Sequence, residues 1–192
     1  MKDKSKKTYS IFMKDNFLSN FCLKFTKILE RHVEYIVVSG FVAIASGRTR
    51  GTEDIDIIIR KMEFENFRKL HKDLEKSGFV CIQSPDPREI YDYLRDKLSV
   101  RYTLKNRPLP QIELKFEVDE LDDYQFRTKE KLPLTGLNIW FSSVNMNIAF
   151  KEELLKSKKD IEDAIHLRTV YREKVDEGEI KKIKKMIRRL RF

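Results

Sequence analysis

Cysteine and histidine are scarce in this chain, which carries Cys22 and Cys81, and His32, His71 and His166, among 192 residues. The two cysteines lie far apart among apolar neighbours, so neither a disulfide framework nor a thiolate metal site is indicated. The histidines are scattered, and each reads as structural. Long apolar runs are missing as well. No stretch is long enough to span a bilayer, and the lysine-rich first eight residues lead into no signal-type apolar core. The expected location is the cytoplasm. No internal repeat or low-complexity segment is evident among the six glycines and five prolines.

Charge is abundant but uneven. Of the net +9, residues 1–8 carry +3 and residues 181–191 carry +7, leaving a body near −1. That argues against a polyanion surface over the whole domain and restricts such contact to the ends. The length fits one domain with a sizeable core and helical ends, too short for two full-sized domains. We read residues 1–178 as the domain and residues 179–192 as a basic amphipathic helix. Its apolar side (Ile180, Ile183, Ile187, Leu190) suits packing on the body, with RNA or an anionic membrane as the sharper alternative.

The most informative stretch runs from Tyr35 to Ile59. Ile36, Val37 and Val38 form a short apolar strand that ends at Ser39-Gly40, where backbone must approach something closely. Residues 41–45 continue as a helix, closed by Gly47, and residues 48–53 are a polar connection. In the strand that follows, Asp54 and Asp56 share one face while Ile55, Ile57 and Ile59 share the other. Two such close carboxylates repel unless a cation or a proton intervenes. With only oxygen donors nearby, Mg²⁺ or Mn²⁺ is favoured over zinc. An isolated Asp-Ile-Asp is more simply a turn residue plus a solvated strand position, but the glycine turn upstream shifts the balance toward a site.

These residues resemble the nucleotidyltransferase superfamily related to DNA polymerase β, whose signature is a strand ending in Gly-Gly or Gly-Ser, a short helix, and Asp-hydrophobic-Asp on the next strand. Arg50-Gly-Thr-Glu-Asp-Ile-Asp56 is similar to the Arg-x-Thr-x-Asp-x-Asp form of small prokaryotic members. A second segment, Phe150-Lys151 followed by Lys159-Asp160-Ile-Glu-Asp163, is similar to the C-terminal signature of the abortive-infection type IV toxin nucleotidyltransferases. The resemblance spans about residues 30–170. It implies that Asp54 and Asp56 hold metal, that Ser39, Gly40, Arg50 and Thr52 contact the nucleotide, and that Lys151 and Asp160, with Lys159 and Asp163, flank it. The second segment also fits a capped helix with charged i,i+3 and i,i+4 neighbours.

Superfamily members place a third carboxylate on a neighbouring strand. Residues 111–118 alternate, with Ile112, Leu114, Phe116 and Val118 on one face and Glu113, Lys115 and Glu117 on the other, so both Glu113 and Glu117 fit. A surface strand with alternating charge fits too. We choose Glu113, conditional on this strand running parallel to the Asp54 strand; the antiparallel arrangement favours Glu117.

Elsewhere, apolar spacing predicts helices over residues 15–31, 63–77 (stopped by Gly78), 88–97 and 144–155 (capped at Ser142-Ser143), and another beginning near Asp160 as its cap. Extended segments are expected at 79–82, 99–104 and 137–141, a turn at 107–110, a mobile basic terminus over residues 1–12, and loop over residues 119–136. The expected fold is α/β (α+β), a mixed sheet with flanking helices and a helical C-terminal extension. The expected reaction is Mg²⁺-dependent transfer of a nucleoside monophosphate from an NTP to an unidentified acceptor such as RNA, a protein or a small molecule. The alternatives are a non-catalytic nucleotide- or RNA-binding module, or a toxin–antitoxin component acting with a partner protein or as a homo-oligomer.

Overall fold

Alternation along residues 54–59 is realised as a strand of a five-stranded mixed sheet. The computed structural model describes residues 17–192, so the basic terminus read over residues 1–12 lies outside the described residues. The strands are β1 (Tyr35–Val38), β2 (Asp54–Ile59), β3 (Phe79–Cys81), β4 (Val100–Leu104) and β5 (Arg107–Phe116), in the order β1-β2-β5-β4-β3. Strands β2 and β5 pair in parallel, and β1–β2, β4–β5 and β3–β4 pair antiparallel. Ile55, Ile57, Ile59, Ile112, Leu114, Val100 and Tyr102 are buried in the main core on one face. The opposite face carries the polar residues, with Ile36, Ile58 and Phe126 forming a small separate cluster.

The helices are α1 (Phe17–Leu29), α2 (Gly40–Ala45), α3 (Phe64–Lys76), α4 (Pro87–Arg95), α5 (Glu120–Arg127), α6 (Val144–Phe150), α7 (Lys158–Val170) and α8 (Glu177–Arg191). The aromatic stripe of α1 packs as expected, Phe25 meeting Phe79 edge-on at 5.0 Å between ring centroids. Gly78, at φ 85, ends α3 in a backbone conformation costly for other residues. Helix α8 buries Ile180, Ile183 and Ile187 in the main core. Its cations pair along the body, Lys184 with Glu152 at 2.7 Å and Arg188 with Glu153 at 3.0 Å. Among the described residues no helix is long and apolar enough to cross a membrane.

Five local expectations are corrected. Residues 119–136 contain α5, because the Asp119 carboxylate accepts from the Leu121 and Asp122 N–H groups and caps a turn whose Leu121 and Phe126 are buried. Residues 107–110 belong to β5, the reversal lying one step earlier with Asn106 at φ 62. Residues 137–141 form no strand; Phe141 makes single bridges to Val37 and Glu130, since β1 turns away directly afterwards at Ser39. The helix from Val144 passes at Lys151–Leu155 into a π-helical turn, and Ser157, not Asp160, caps α7 through the Asp160 N–H.

Candidate active site

Strand β1 delivers the chain to a strained corner. Ser39 sits at φ 64 and ψ −137, in territory that glycine occupies freely and other residues occupy at a cost of roughly 1–3 kcal/mol. The expected result of Ser39→Gly is therefore a gain of about 1 kcal/mol in urea unfolding. A loss would show that the Ser39 hydroxyl, which hydrogen-bonds Asp56, outweighs the strain. Gly40 next to it opens α2. A Cβ there would stand 2.4 Å from Arg50 Nη2, so the glycine makes room for that guanidinium.

Across the polar face the pairing register builds one row, with Val38 beside Asp56, Asp56 beside Glu113, and Glu113 beside Arg101. Asp54 lies two residues before Asp56 on the same face. Burial pushes the Asp56 carboxyl up, and the Ser39 hydrogen bond offsets part of this. The charges of Glu113 and Asp54 push it further up, while Lys115 pulls it down. Glu113 accepts from Ser99 Oγ at 2.8 Å and from Arg101 Nη2 at 3.1 Å. Among the described residues no three His, Cys, Asp or Glu side chains are gathered closely enough to hold a metal ion as they stand. The donor chemistry nevertheless suits a hard cation: three carboxylates from two adjacent strands on one face, with the histidines engaged elsewhere, at Asp73, Tyr102 and the Ser46 carbonyl.

The parallel β2–β5 pairing is the orientation on which the choice of Glu113 depended. Glu117 lies beyond the end of β5, ~13 Å further on at ~3.3 Å per residue, and pairs with Arg60 at 2.5 Å. Thr52 donates its hydroxyl to the Asp54 carbonyl at 3.0 Å and holds the entry to β2.

Lys151 and Asp160 meet at the start of α7. The Lys151 ammonium is 1% exposed, 2.8 Å from Asp163 and 3.5 Å from Asp160. Asp163 is fully buried and also takes Arg48 Nε at 2.6 Å and Arg50 Nη1 at 2.8 Å. This three-cation hub ties the residue 46–53 loop and the π turn to α7. Lys159 is exposed. Arg48 was missed in the sequence, although it lies two residues before Arg50 in the same loop.

A cavity of about 250 Å³ opens between the polar sheet face and α5, α6, the π turn and α8, with Ser39, Asp56, Glu113, Lys115, Lys151 and Arg191 in its walls. Lys115 and Arg191 had no role in the sequence reading. Alternation placed Lys115 on the face of Glu113, which was the available signal, whereas the approach of Arg191 depends on how α8 folds back.

No family model matches the chain, and no curated protein matches it by sequence. Solved structures do. The aminoglycoside nucleotidyltransferase ANT(2'')-Ia in complex with adenylyl-2''-tobramycin superposes at a TM-score of 0.56 and 15% identity, over 92% of this chain and 100% of that one. The solution structure of the same antibiotic-resistance factor gives 0.51 and 13%, over 88% and 90%. An antigenic nucleotidyltransferase-like protein from Paracoccidioides brasiliensis gives 0.47 and 18%, over 99% and 90%. With its mixed sheet, glycine corner and flanking helices, the chain has the nucleotidyltransferase superfamily fold.

Proposed function

We propose that this protein transfers a nucleoside monophosphate from an NTP to a hydroxyl or phosphate of an acceptor, releasing pyrophosphate. The observation that carries the reading is the alignment of Asp56 with Glu113, beside Asp54, with Ser39, Asp56 and Glu113 in the wall of one cavity. Asp54, Asp56 and Glu113 would hold Mg²⁺ or Mn²⁺. Such an ion, when bound, activates the acceptor oxygen and offsets charge on the leaving group. The chain's own residues do the rest. Asp54 and Asp56, fixed on a central strand, present their carboxylates without loop motion. The Ser39 hydroxyl orients Asp56. Arg50, held by Asp163 and lying over Gly40, braces the turn where phosphates would lie. The neighbour that holds adenylyl-2''-tobramycin makes a small polyhydroxylated acceptor worth testing beside RNA and protein.

The deciding experiment incubates the protein with each labelled NTP, Mg²⁺, and in turn total RNA, protein extract and aminoglycosides. Label transfer with pyrophosphate release supports the reading, and none under any condition removes it. A companion pair tests the third acid. Glu113→Gln is expected to lose metal-dependent transfer. Glu117→Gln should keep it and lose some stability as Arg60 forfeits its 2.5 Å partner. The reverse pattern in an Mg²⁺ titration would mean that Glu117 is the ligand.

A second reading, a nucleotide-binding module without turnover, is favoured by Glu113 being engaged by Ser99 and Arg101. It expects saturable NTP binding with no pyrophosphate released.

A further inference from the structure

Three basic residues line the cavity, and two already have carboxylate partners. Lys151, which the resemblance places beside the nucleotide, is held by Asp163 and Asp160. Arg191 gives its guanidinium to Asp119, with Asp122 4.0 Å away. Lys115 differs. It stands two residues beyond Glu113 on the same face of β5, in register with Ile58, and among the described residues its side chain makes no hydrogen bond or ion pair. Its charge acts on the Asp56 carboxyl, with no ion pair between them.

An uncommitted ammonium in a cavity shared with acids has a definite complement. The acids Asp54, Asp56 and Glu113 suit a divalent cation, and a cation there brings a polyphosphate with it. The surplus negative charge of that polyphosphate then needs a cation whose charge no carboxylate has already neutralised. An ammonium on a four-carbon stem, with three donors free to rotate, is a point-charge phosphate binder of this kind. We infer that Lys115 binds a phosphate group of the NTP. This rests on the reading of the cavity as an NTP site.

The test is equilibrium titration of inorganic tripolyphosphate, ATP and adenosine, each with Mg²⁺, into the wild-type chain, Lys115→Met and Lys115→Arg. Lys115→Met should bind tripolyphosphate and ATP about 10- to 100-fold more weakly, the range expected for losing one hydrogen-bonded charge. Adenosine affinity should not move, and Lys115→Arg should keep most of the wild-type affinity. Higher salt should narrow the difference. The melting temperature of Lys115→Met without ligand should match wild type, since no native pairing is lost, and this separates lost binding from lost folding. Equal tripolyphosphate affinity in wild type and Lys115→Met would overturn the inference while leaving the NTP reading standing. Failure of the wild-type chain to bind ATP or tripolyphosphate would overturn that reading, and the inference with it. Unchanged ATP affinity with a raised KM for a phosphorylated acceptor would place Lys115 on the acceptor instead and refute the assignment made here.

Discussion

Replacing Asp56 with asparagine is expected to lower nucleotidyl transfer by on the order of 10²–10³-fold or more, the scale on which removing one preorganised charge acts at a transition state, while the fold persists. The amide fits the same space but brings no charge to the row it shares with Glu113. Stability supplies an independent readout. Because burial and the neighbouring acids raise the Asp56 carboxyl, the folded chain binds that proton more tightly than the unfolded chain does. The ionised group therefore subtracts stability as pH climbs from the ordinary carboxylate range through the raised value. Asp56→Asn removes this cost, so without divalent cation the variant should resist urea better than wild type at neutral pH. The advantage should shrink to nothing in acid, below the ordinary range. A folded variant that still turned over NTP at the wild-type rate would remove Asp56 from the reaction.

Asp163→Asn is expected to give the largest loss of stability, about 3–5 kcal/mol, the usual consequence of stranding buried charge. For a chain of this size that lowers the melting temperature by on the order of 10 °C. Asp163 is 0% exposed and is the common anion of Arg48, Arg50 and Lys151. Asparagine keeps the shape but gives those cations no charge to answer, and Lys151, itself buried, has only Asp160 at 3.5 Å to turn to. Asp160→Asn is the control. That carboxylate is at the α7 terminus, 17% exposed, and its loss should shift melting far less. Comparable shifts for the two variants would mean that the hub is not what holds the residue 46–53 loop to α7.

The elements read well from sequence were those whose signal is local. Ile55, Ile57 and Ile59 alternating with Asp54 and Asp56 show a strand and its faces without further context. So do Phe67, Leu70 and Leu74 running into Gly78. The glycine corner was legible as a turn, but the positive φ fell on Ser39, which only its own position in the corner reveals. Where the reading missed a contact, the deciding partner was remote. Arg48, Arg50 and Lys151 converge on Asp163 only when α7 folds against α2. Trp140 and Phe141 have β-formers' side chains but found an edge where β1 offers a single bridge. Helix α5 was overlooked because its acidic first turn reads as loop unless Asp119 is recognised as a cap.

The pairing of Arg60 with Glu117 has a consequence for how the gene tolerates change. These residues lie just past the ends of β2 and β5, and together with the Glu117 N–H donated to the Ile59 carbonyl at 2.9 Å they fasten the far end of the parallel ladder. Fastening one end of a period-two ladder fixes the phase of the whole. A single codon inserted or deleted within residues 114–116, between Glu113 and the clamp, would carry Ile112 or Leu114 into the row beside Asp56 and turn Glu113 toward the core. Insertions at the 105–106 reversal, on the other side of Glu113 from the clamp, would leave that phase intact. Length variation among descendants of this sequence should therefore collect at residues 105–106 and be selected against in residues 114–116.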